Sequence, residues 1–381
     1  MSESIRPFTI DIPDDELQEL RERIRQTRWP EQETVENWDQ GAPLSFVQHL
    51  AQYWREQYNW RRCETLLNSW PQFKTAIDGL DIHFLHCRSP HPNAMPLLIT
   101  HGWPGSVLEF RHVIADLLDP TLKGGSPDDA FHIIAPSLPG FAFSDKPSAP
   151  GTGVERIGEM WATLMQRLGY TQYVSQGGDW GSAVSQTVAM ADPEHCIGVH
   201  INMVVAAPAN LDDLTDFEQQ ALAKLQYYNR WDSGYSNQQA SRPQTVGYAL
   251  ADSPVGQMAW IVEKFQSWTD SEKDGVKNPL NILSEDELLD NVMLYWLTNS
   301  AASSARIYWE SFHDTNLGPL DTPVGCSVFP KDIFTASRRW AEARLTNIVY
   351  WSEPSEGGHF AALEKPEWFI DEVRACFREI R

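Results

Sequence analysis

The chain predicts an α/β fold: a mostly parallel sheet with helices on both faces, led in by one helical segment and interrupted by another. Three observations carry this. Short apolar runs alternate with helical periodicity from "MPLLIT" through "CIGVHINM", as they do where crossover helices cover both faces of a sheet. The rhythm stops after Ala206 and resumes at "VGCSVF". And 381 residues, 42% of them hydrophobic, exceed one minimal domain and suffice for a large core with additions.

The elements follow in order. A helix opens at Pro13 and Asp14, carries Leu17, Leu20 and Ile24 on one face, and ends near Pro30. From there to about Trp70 the chain reads as helical and Trp-rich, most clearly in "PLSFVQHLAQYWREQYNW". "FKTAIDGLDIHFLHCR" alternates about Asp78-Gly79, the mark of a hairpin with a primed turn. "MPLLIT" is a short buried strand running into "HGWPGS", and a helix is expected over 107–118. "FHIIAP" is the next strand, followed by the loop "SLPGFAFSDKP" and a helix over about 154–168. "QYVSQ" is a strand that ends in "GGDWGS"; a helix runs from Trp180 to "DPEH", and "CIGVHINM" is again a strand. Residues 207 to about 320 are polar and helical with few strand-like runs. A strand at "VGCSVF", a helix, a strand at "NIVYWS" and a final helix from Pro366 complete the pattern. The expected organisation is a helical N-terminal extension over 1–72, a first core part over 73–206, a helical lid over 207–320 and a second core part over 321–381.

Composition removes several classes of function. The net charge is −22, from 52 acidic and 30 basic residues. Such a surface repels phosphates, which argues against nucleic acid and anionic membrane as partners. Five cysteines without CxxC spacing point to reduced thiols in a cytoplasmic protein, and away from a disulfide frame or a zinc site. "MSESIRPFTI" lacks a basic region followed by an apolar run, and no stretch approaches ~18 apolar residues. Neither a signal peptide nor a membrane span is expected. The 16 tryptophans read mainly as packing.

"GGDWGS" has the frame of the strand–turn–helix motif G-x-S-x-G, with Asp179 where a serine would stand. Such a turn presents its central side chain at the carboxyl end of the sheet, where open α/β sheets bind ligands. A side chain at Gly177 or Gly181 would crowd it. The plain alternative is that Asp179 caps the following helix. After a nucleophile so placed, an acid and then a histidine should follow. "VFPKD" ends a late strand and delivers Asp332; "SEGGHFAALEKPE" follows the next strand and delivers His359. Asp321, Glu353 and Glu356 are weaker candidates for the acid, and helix capping is the plain role for Asp332. "HGWPGS" follows the "LLIT" strand, where this chain order places an oxyanion donor. The backbone N–H groups of Trp103 and Trp180 are the expected pair, and a cis Trp103–Pro104 bond would aim the first.

An aspartate nucleophile restricts the reaction. Attack on an ester would leave a reactive anhydride, whereas displacement at an sp3 carbon leaves a stable alkyl ester. Water activated by a histidine then attacks the ester carbonyl, so the oxyanion donors serve the second step. Two leaving groups suit the first: a strained epoxide oxygen, which needs an acid, or a halide, which needs N–H donors and no proton. Two tyrosine hydroxyls would polarise and protonate an epoxide oxygen. The insertion and its edges hold Tyr227, Tyr228, Tyr235, Tyr248, Tyr295 and Tyr308, and the chemistry alone does not choose among them.

Essentially the whole chain resembles the microsomal-type epoxide hydrolases, within the α/β-hydrolase superfamily. The resemblance lies in "FTIDIPDDELQELRERIRQTRWPE" (their N-terminal extension), "HGWPGS", "GGDWGS", "DSPVGQMAWIVEKFQSWTD" and "NVMLYWLTNSAASSARIYWE" (their lid), and "GGHFAALEKPE". It implies an α/β-hydrolase fold with a helical lid. It also implies Asp179 as nucleophile, His359 as base and Asp332, two residues after "FP", as the orienting acid. The lid tyrosines it implies are Tyr235 in "SGYSNQQ" and Tyr308 in "SSARIYWE". The membrane anchor of the animal microsomal enzymes is missing, which fits soluble bacterial relatives. The implied activity converts a small-molecule epoxide to a vicinal diol in the cytoplasm, with no cofactor and no metal. Its only macromolecular partner is at most a second copy of the chain in a homodimer. The alternatives are a haloalkane dehalogenase with the same triad, which would not require Tyr235 and Tyr308, and a non-catalytic binding protein on a hydrolase fold.

Overall fold

The computed structural model describes residues 3–313 and 317–381. Its strands are β1 (Arg6–Phe8), β2 (Gln72–Ile77), β3 (Leu80–Cys87), β4 (Met95–Thr100), β5 (Phe131–Pro136), β6 (Tyr173–Gly177), β7 (Cys196–Ile201), β8 (Glu272–Lys273), β9 (Val276–Lys277), β10 (Val324–Ser327) and β11 (Ile348–Ser352). Nine of them form one sheet in the order β1-β2-β3-β5-β4-β6-β7-β10-β11. From β5 to β11 every pairing is parallel, while β1, β2 and β3 add an antiparallel edge. The β2–β3 hairpin pairs Ile77 with Leu80. Asp78 (φ 53°) and Gly79 (φ 78°) turn it, the two positive angles a type I′ turn requires.

The chain passes from β4 to β5 on one side and returns to β6 on the other. Strand order therefore reverses at β4, and the loops after β4 and β6 flank the crevice where such sheets bind ligands. "HGWPGS" and "GGDWGS" are those two loops.

The helix Asp14–Arg25 buries Leu17, Leu20 and Ile24. The helices Leu44–Glu56 and Trp60–Ser69 complete the extension, the latter capped by the Asn59 side chain. The sequence reading is corrected in three places. Residues 26–43 contain no helix: Gly41 sits at φ 104° and Pro43 begins a new helix there. The stretch before the first helix supplies β1 to the sheet. The helix expected over 107–118 is broken into a 3₁₀ turn, Val107–Phe110, and a short helix, Ile114–Leu118. Ser106 caps the tight turn, and Arg111 is drawn instead onto Asp290 of the helical layer between β7 and β10 (2.8 Å). The helix expected after β10 is a single turn, Arg338–Ala341.

Between β7 and β10 the described residues are mainly helical, from Asp216–Tyr227 to Ala301–Ser311, with β8 and β9 pairing only with each other. Fully buried Asp290 ties this layer to the rest. It accepts from the Tyr58 hydroxyl (2.8 Å), from Arg62 (2.6 Å) and from Arg111. A buried carboxylate needs such partners, and these come from the extension and from the segment just after the β4 loop. Among the described residues no helix is long and apolar enough to cross a membrane.

Candidate active site

At the end of β6 the chain turns sharply into the helix Trp180–Ala191. Asp179 makes the turn with φ 51° and ψ −131°, a strained conformation for a residue with a Cβ. The glycines around it are obligatory. A Cβ on Gly177 would lie 2.0 Å from the Gly181 carbonyl oxygen, and one on Gly181 would lie 1.9 Å from that of Thr100. The Asp179 side chain does not cap the helix it precedes. Its Oδ1 accepts from the Trp103 N–H at 2.8 Å, and its Oδ2 lies 3.2 Å from His359 Nε2. The Trp103–Pro104 peptide is cis. Trp180 opens the helix, so its N–H belongs to the first turn, which lacks intrahelical acceptors.

His359 is 4% exposed, and its N–H donates to the Trp268 carbonyl at 2.9 Å. Gly357, at φ 103°, lets the loop turn in, and Lys331 N donates to the Gly357 carbonyl, joining this loop to the one that carries Asp332. Fully buried Asp332 accepts through Oδ1 from His359 Nδ1 (2.6 Å) and from its neighbour's N–H, Ile333 (2.7 Å). The rival acids have other partners: Glu353 takes the Trp351 indole, Glu356 pairs with Lys365, and Asp321 takes the Thr346 hydroxyl. Burial works against a charged imidazole, but the charge of Asp332 and the contacts with both aspartates outweigh it and raise His359 to about 10.

Tyr235 and Tyr308 are both buried, on the helices Gly234–Ser241 and Ala301–Ser311. Their rings meet edge to face, centroids 5.7 Å apart, and both touch the Trp103 ring, Tyr235 stacked on it at 5.0 Å and Tyr308 edge-on at 5.8 Å. Burial, then mutual repulsion and Asp179, holds the Tyr235 hydroxyl well above its usual range; burial and Asp179 do the same for Tyr308. Both therefore present O–H donors at neutral pH. Tyr227 and Tyr248 are 62% and 70% exposed. Tyr228 bonds Ser236 (3.0 Å) and, more weakly, the Tyr235 hydroxyl (3.4 Å), and Tyr295 donates to the Gly105 carbonyl (2.6 Å).

Three residues beside this group escape sequence reasoning. Glu109 folds back under the β4 loop, so a Cβ on Gly105 would meet its Oε1 at 1.4 Å. Burial raises its carboxyl to about 8, against the pull of His359, although the residue keeps a rim of exposure. Trp268 packs edge-on against His359, centroids 5.0 Å apart. Lys264 lies over the ring of Tyr235. None belongs to a motif with a mechanism of its own; the "EF" after "HGWPGSVL" and the four-residue Lys264–Trp268 spacing in "EKFQSW" are the only traces. A cleft of about 1330 Å³ runs along the lid to Tyr235, Trp268 and Asp332, with Trp38, Trp231 and Trp260 in its walls. A second cleft of about 600 Å³, between the N-terminal helices and the helix that begins at Pro254, touches none of Asp179, Asp332 and His359.

Residues 5–110 match the family model described as epoxide hydrolase N terminus, and residues 95–251 match alpha/beta hydrolase fold. A Stigmatella aurantiaca (strain DW4/3-1) protein named putative epoxide hydrolase is 55% identical over 99% of this chain and 86% of its own. Epoxide hydrolase 1 of Sus scrofa is 35% identical over 98% and 88%. Among solved structures, the juvenile hormone epoxide hydrolase of the silkworm Bombyx mori superposes with a TM-score of 0.91 at 33% identity, covering 100% of this chain and 95% of that one. For the Aspergillus niger epoxide hydrolase the TM-score is 0.89 at 31% identity, covering 99% and 97%.

Proposed function

This chain belongs to the microsomal-type epoxide hydrolase family of the α/β-hydrolase superfamily, and from that premise we propose how its residues turn an epoxide into a vicinal diol. The observation that carries the proposal is the hydrogen-bonded line Asp179–His359–Asp332 with two buried tyrosines near enough to feel the Asp179 charge.

Asp179 attacks an epoxide carbon. The C–O bond of the ring breaks, and its oxygen takes a proton from the tyrosine pair. The enzyme then carries an alkyl ester on Asp179, a tyrosinate and the His359 cation. Alkylation has removed one of the two carboxylate charges that hold the imidazole proton, so His359 yields that proton to the tyrosinate. Neutral imidazole now takes a proton from water, which attacks the ester carbonyl. The Trp103 and Trp180 N–H groups receive the oxyanion. Collapse releases the diol and returns Asp179 to a carboxylate and His359 to a cation. In this reading 207–320 is the lid over 73–206 and 321–381, with 1–72 packed against it. The substrate enters by the Trp-lined cleft.

The same proposal places the protein in the cytoplasm, in keeping with its five buried, unpaired cysteines. Sedimentation at increasing concentration tests whether two copies associate.

A single turnover in ¹⁸O-water with enzyme in excess tests the mechanism. The first diol should carry unlabelled oxygen from Asp179, with label appearing on later turnovers. A fully labelled first diol would mean that water opens the ring directly. Release of halide from a haloalkane at a rate matching epoxide turnover would favour the dehalogenase reading instead.

A further inference from the structure

The two lid tyrosines are not equivalent. Tyr235 is held between two faces: Trp103 stacks on one at 5.0 Å, and the Lys264 ammonium stands 4.6 Å from its centroid. Among the described residues the Tyr308 ring meets Trp103, Trp180 and Tyr235 edge to face and Phe312 at a tilt, and its hydroxyl is paired with the Tyr235 and Trp180 side chains. Lys264 is 5% exposed. Burial works against its charge, but Glu263 (2.7 Å) and Asp232 (2.8 Å) outweigh that and keep it a cation. Asp232 is fixed in turn by the Trp268 indole (2.7 Å). Two of the three ammonium N–H bonds are thus taken, and the ring faces are what remain for the third: Tyr235, and Trp268 at 5.6 Å.

We propose that Lys264 makes Tyr235, rather than Tyr308, the group that gives its proton to the opening epoxide. The proposal rests on the reading of Tyr235 and Tyr308 as the lid acids. During alkylation the negative charge moves from the Asp179 carboxylate to a phenolate, whose charge spreads over the ring. A cation pinned over that face attracts a phenolate more strongly than a phenol, so the contact strengthens as the proton leaves. Loss of the Asp179 charge removes a neighbour that opposes a phenolate at either tyrosine, so the cation over the Tyr235 ring is what separates the two. Among the described residues no cation stands over the Tyr308 ring, and Tyr308 serves as a hydrogen-bond donor to the same oxygen. Lys264 is therefore a positioning residue that acts through Tyr235.

The experiment measures the alkylation and hydrolysis rates separately by rapid quench, on an aryl epoxide, in a double-mutant cycle. Lys264→Met should slow alkylation roughly ten-fold and leave hydrolysis of the alkyl-enzyme nearly unchanged; Lys264→Arg should recover most of the loss. In a Tyr235→Phe background Lys264→Met should add nothing, whereas in a Tyr308→Phe background its full effect should persist. Asp232→Asn leaves Glu263 as the counter-charge that holds the ammonium and removes the other, so its alkylation should match or exceed wild type; it decides the matter even where Lys264→Met does not fold. Additive effects of Lys264→Met and Tyr235→Phe, or an Asp232→Asn protein as slow as Lys264→Met, would overturn the proposal alone. Wild-type alkylation by Tyr235→Phe would overturn the lid reading and the proposal with it.

Discussion

His359→Gln should separate the two chemical steps. In the resting enzyme the two aspartates, against burial, raise His359 to about 10, so the imidazole is held as a cation near pH 7. The base is created when alkylation discharges Asp179. Glutamine keeps a donor beside the Asp179 carboxylate but has no basicity. The Trp103 N–H, 2.8 Å from Oδ1, continues to aim the nucleophile. Alkylation should therefore stay within about an order of magnitude of wild type, while hydrolysis of the ester falls by the worth of general-base catalysis, on the order of 10²–10⁴. Incubated with a substrate epoxide, the variant should gain the mass of one substrate, and peptide mapping should put it on the fragment containing Asp179. An adduct elsewhere would refute the nucleophile, and steady turnover above about a tenth of wild type by a folded variant would refute the base.

Tyr235→Phe and Tyr308→Phe should each slow alkylation by about 10²-fold or more, with the double variant nearly inert, whereas the exposed Tyr227 and Tyr248 should tolerate phenylalanine; stopped-flow rates distinguish the two classes. The raised His359 pKa adds stability, on the order of a few kcal/mol, that is fully present below the unfolded value of 6.5 and is lost as pH rises through about 10. Thermal melts between those limits should fall more steeply for wild type than for His359→Gln. Burial lowers His83 and His200 to about 3, which has the opposite sign. Stability should also drain away as pH falls below 6.5, and acid unfolding monitored by circular dichroism should shift to lower pH in a His200→Gln variant. Gly181→Ala drives a methyl into the Thr100 carbonyl at 1.9 Å, so it should cost about 1–3 kcal/mol or more and appear as a lowered melting temperature or insoluble protein.

Much of the architecture is legible in short stretches because its causes are short-ranged. The β2–β3 hairpin is written in Asp78-Gly79, where two positive φ angles are needed side by side. The parallel strands are written in apolar runs, since both faces of that sheet are covered. The elbow is written in Gly177, Asp179 and Gly181, because the turn leaves no room for a methyl at either glycine. Strand order then carries Asp332 and His359 to the same edge as Asp179, where the distances of 2.6 Å and 3.2 Å join them. The helix misread over 107–118 marks the limit of this reasoning: its periodicity is helical, but Arg111 answers to Asp290, nearly half the chain away in sequence.

The tyrosines show most plainly what the sequence by itself determines and what tertiary structure decides. Composition offers six candidates, and chemistry asks for two. Resemblance singles out Tyr235 and Tyr308, but packing supplies the physical reason. It exposes Tyr227 and Tyr248, engages Tyr228 with Ser236 and the Tyr235 hydroxyl, commits Tyr295 to the Gly105 carbonyl, and brings the rings of Tyr235 and Tyr308 together against Trp103. Glu109 and Lys264 have no sequence signal of comparable strength, because a carboxyl or an ammonium acquires an unusual role only from the groups enclosed with it. Backbone turns and periodic faces are settled within a few residues of themselves. The company a buried side chain keeps is settled by how the lid closes on the core.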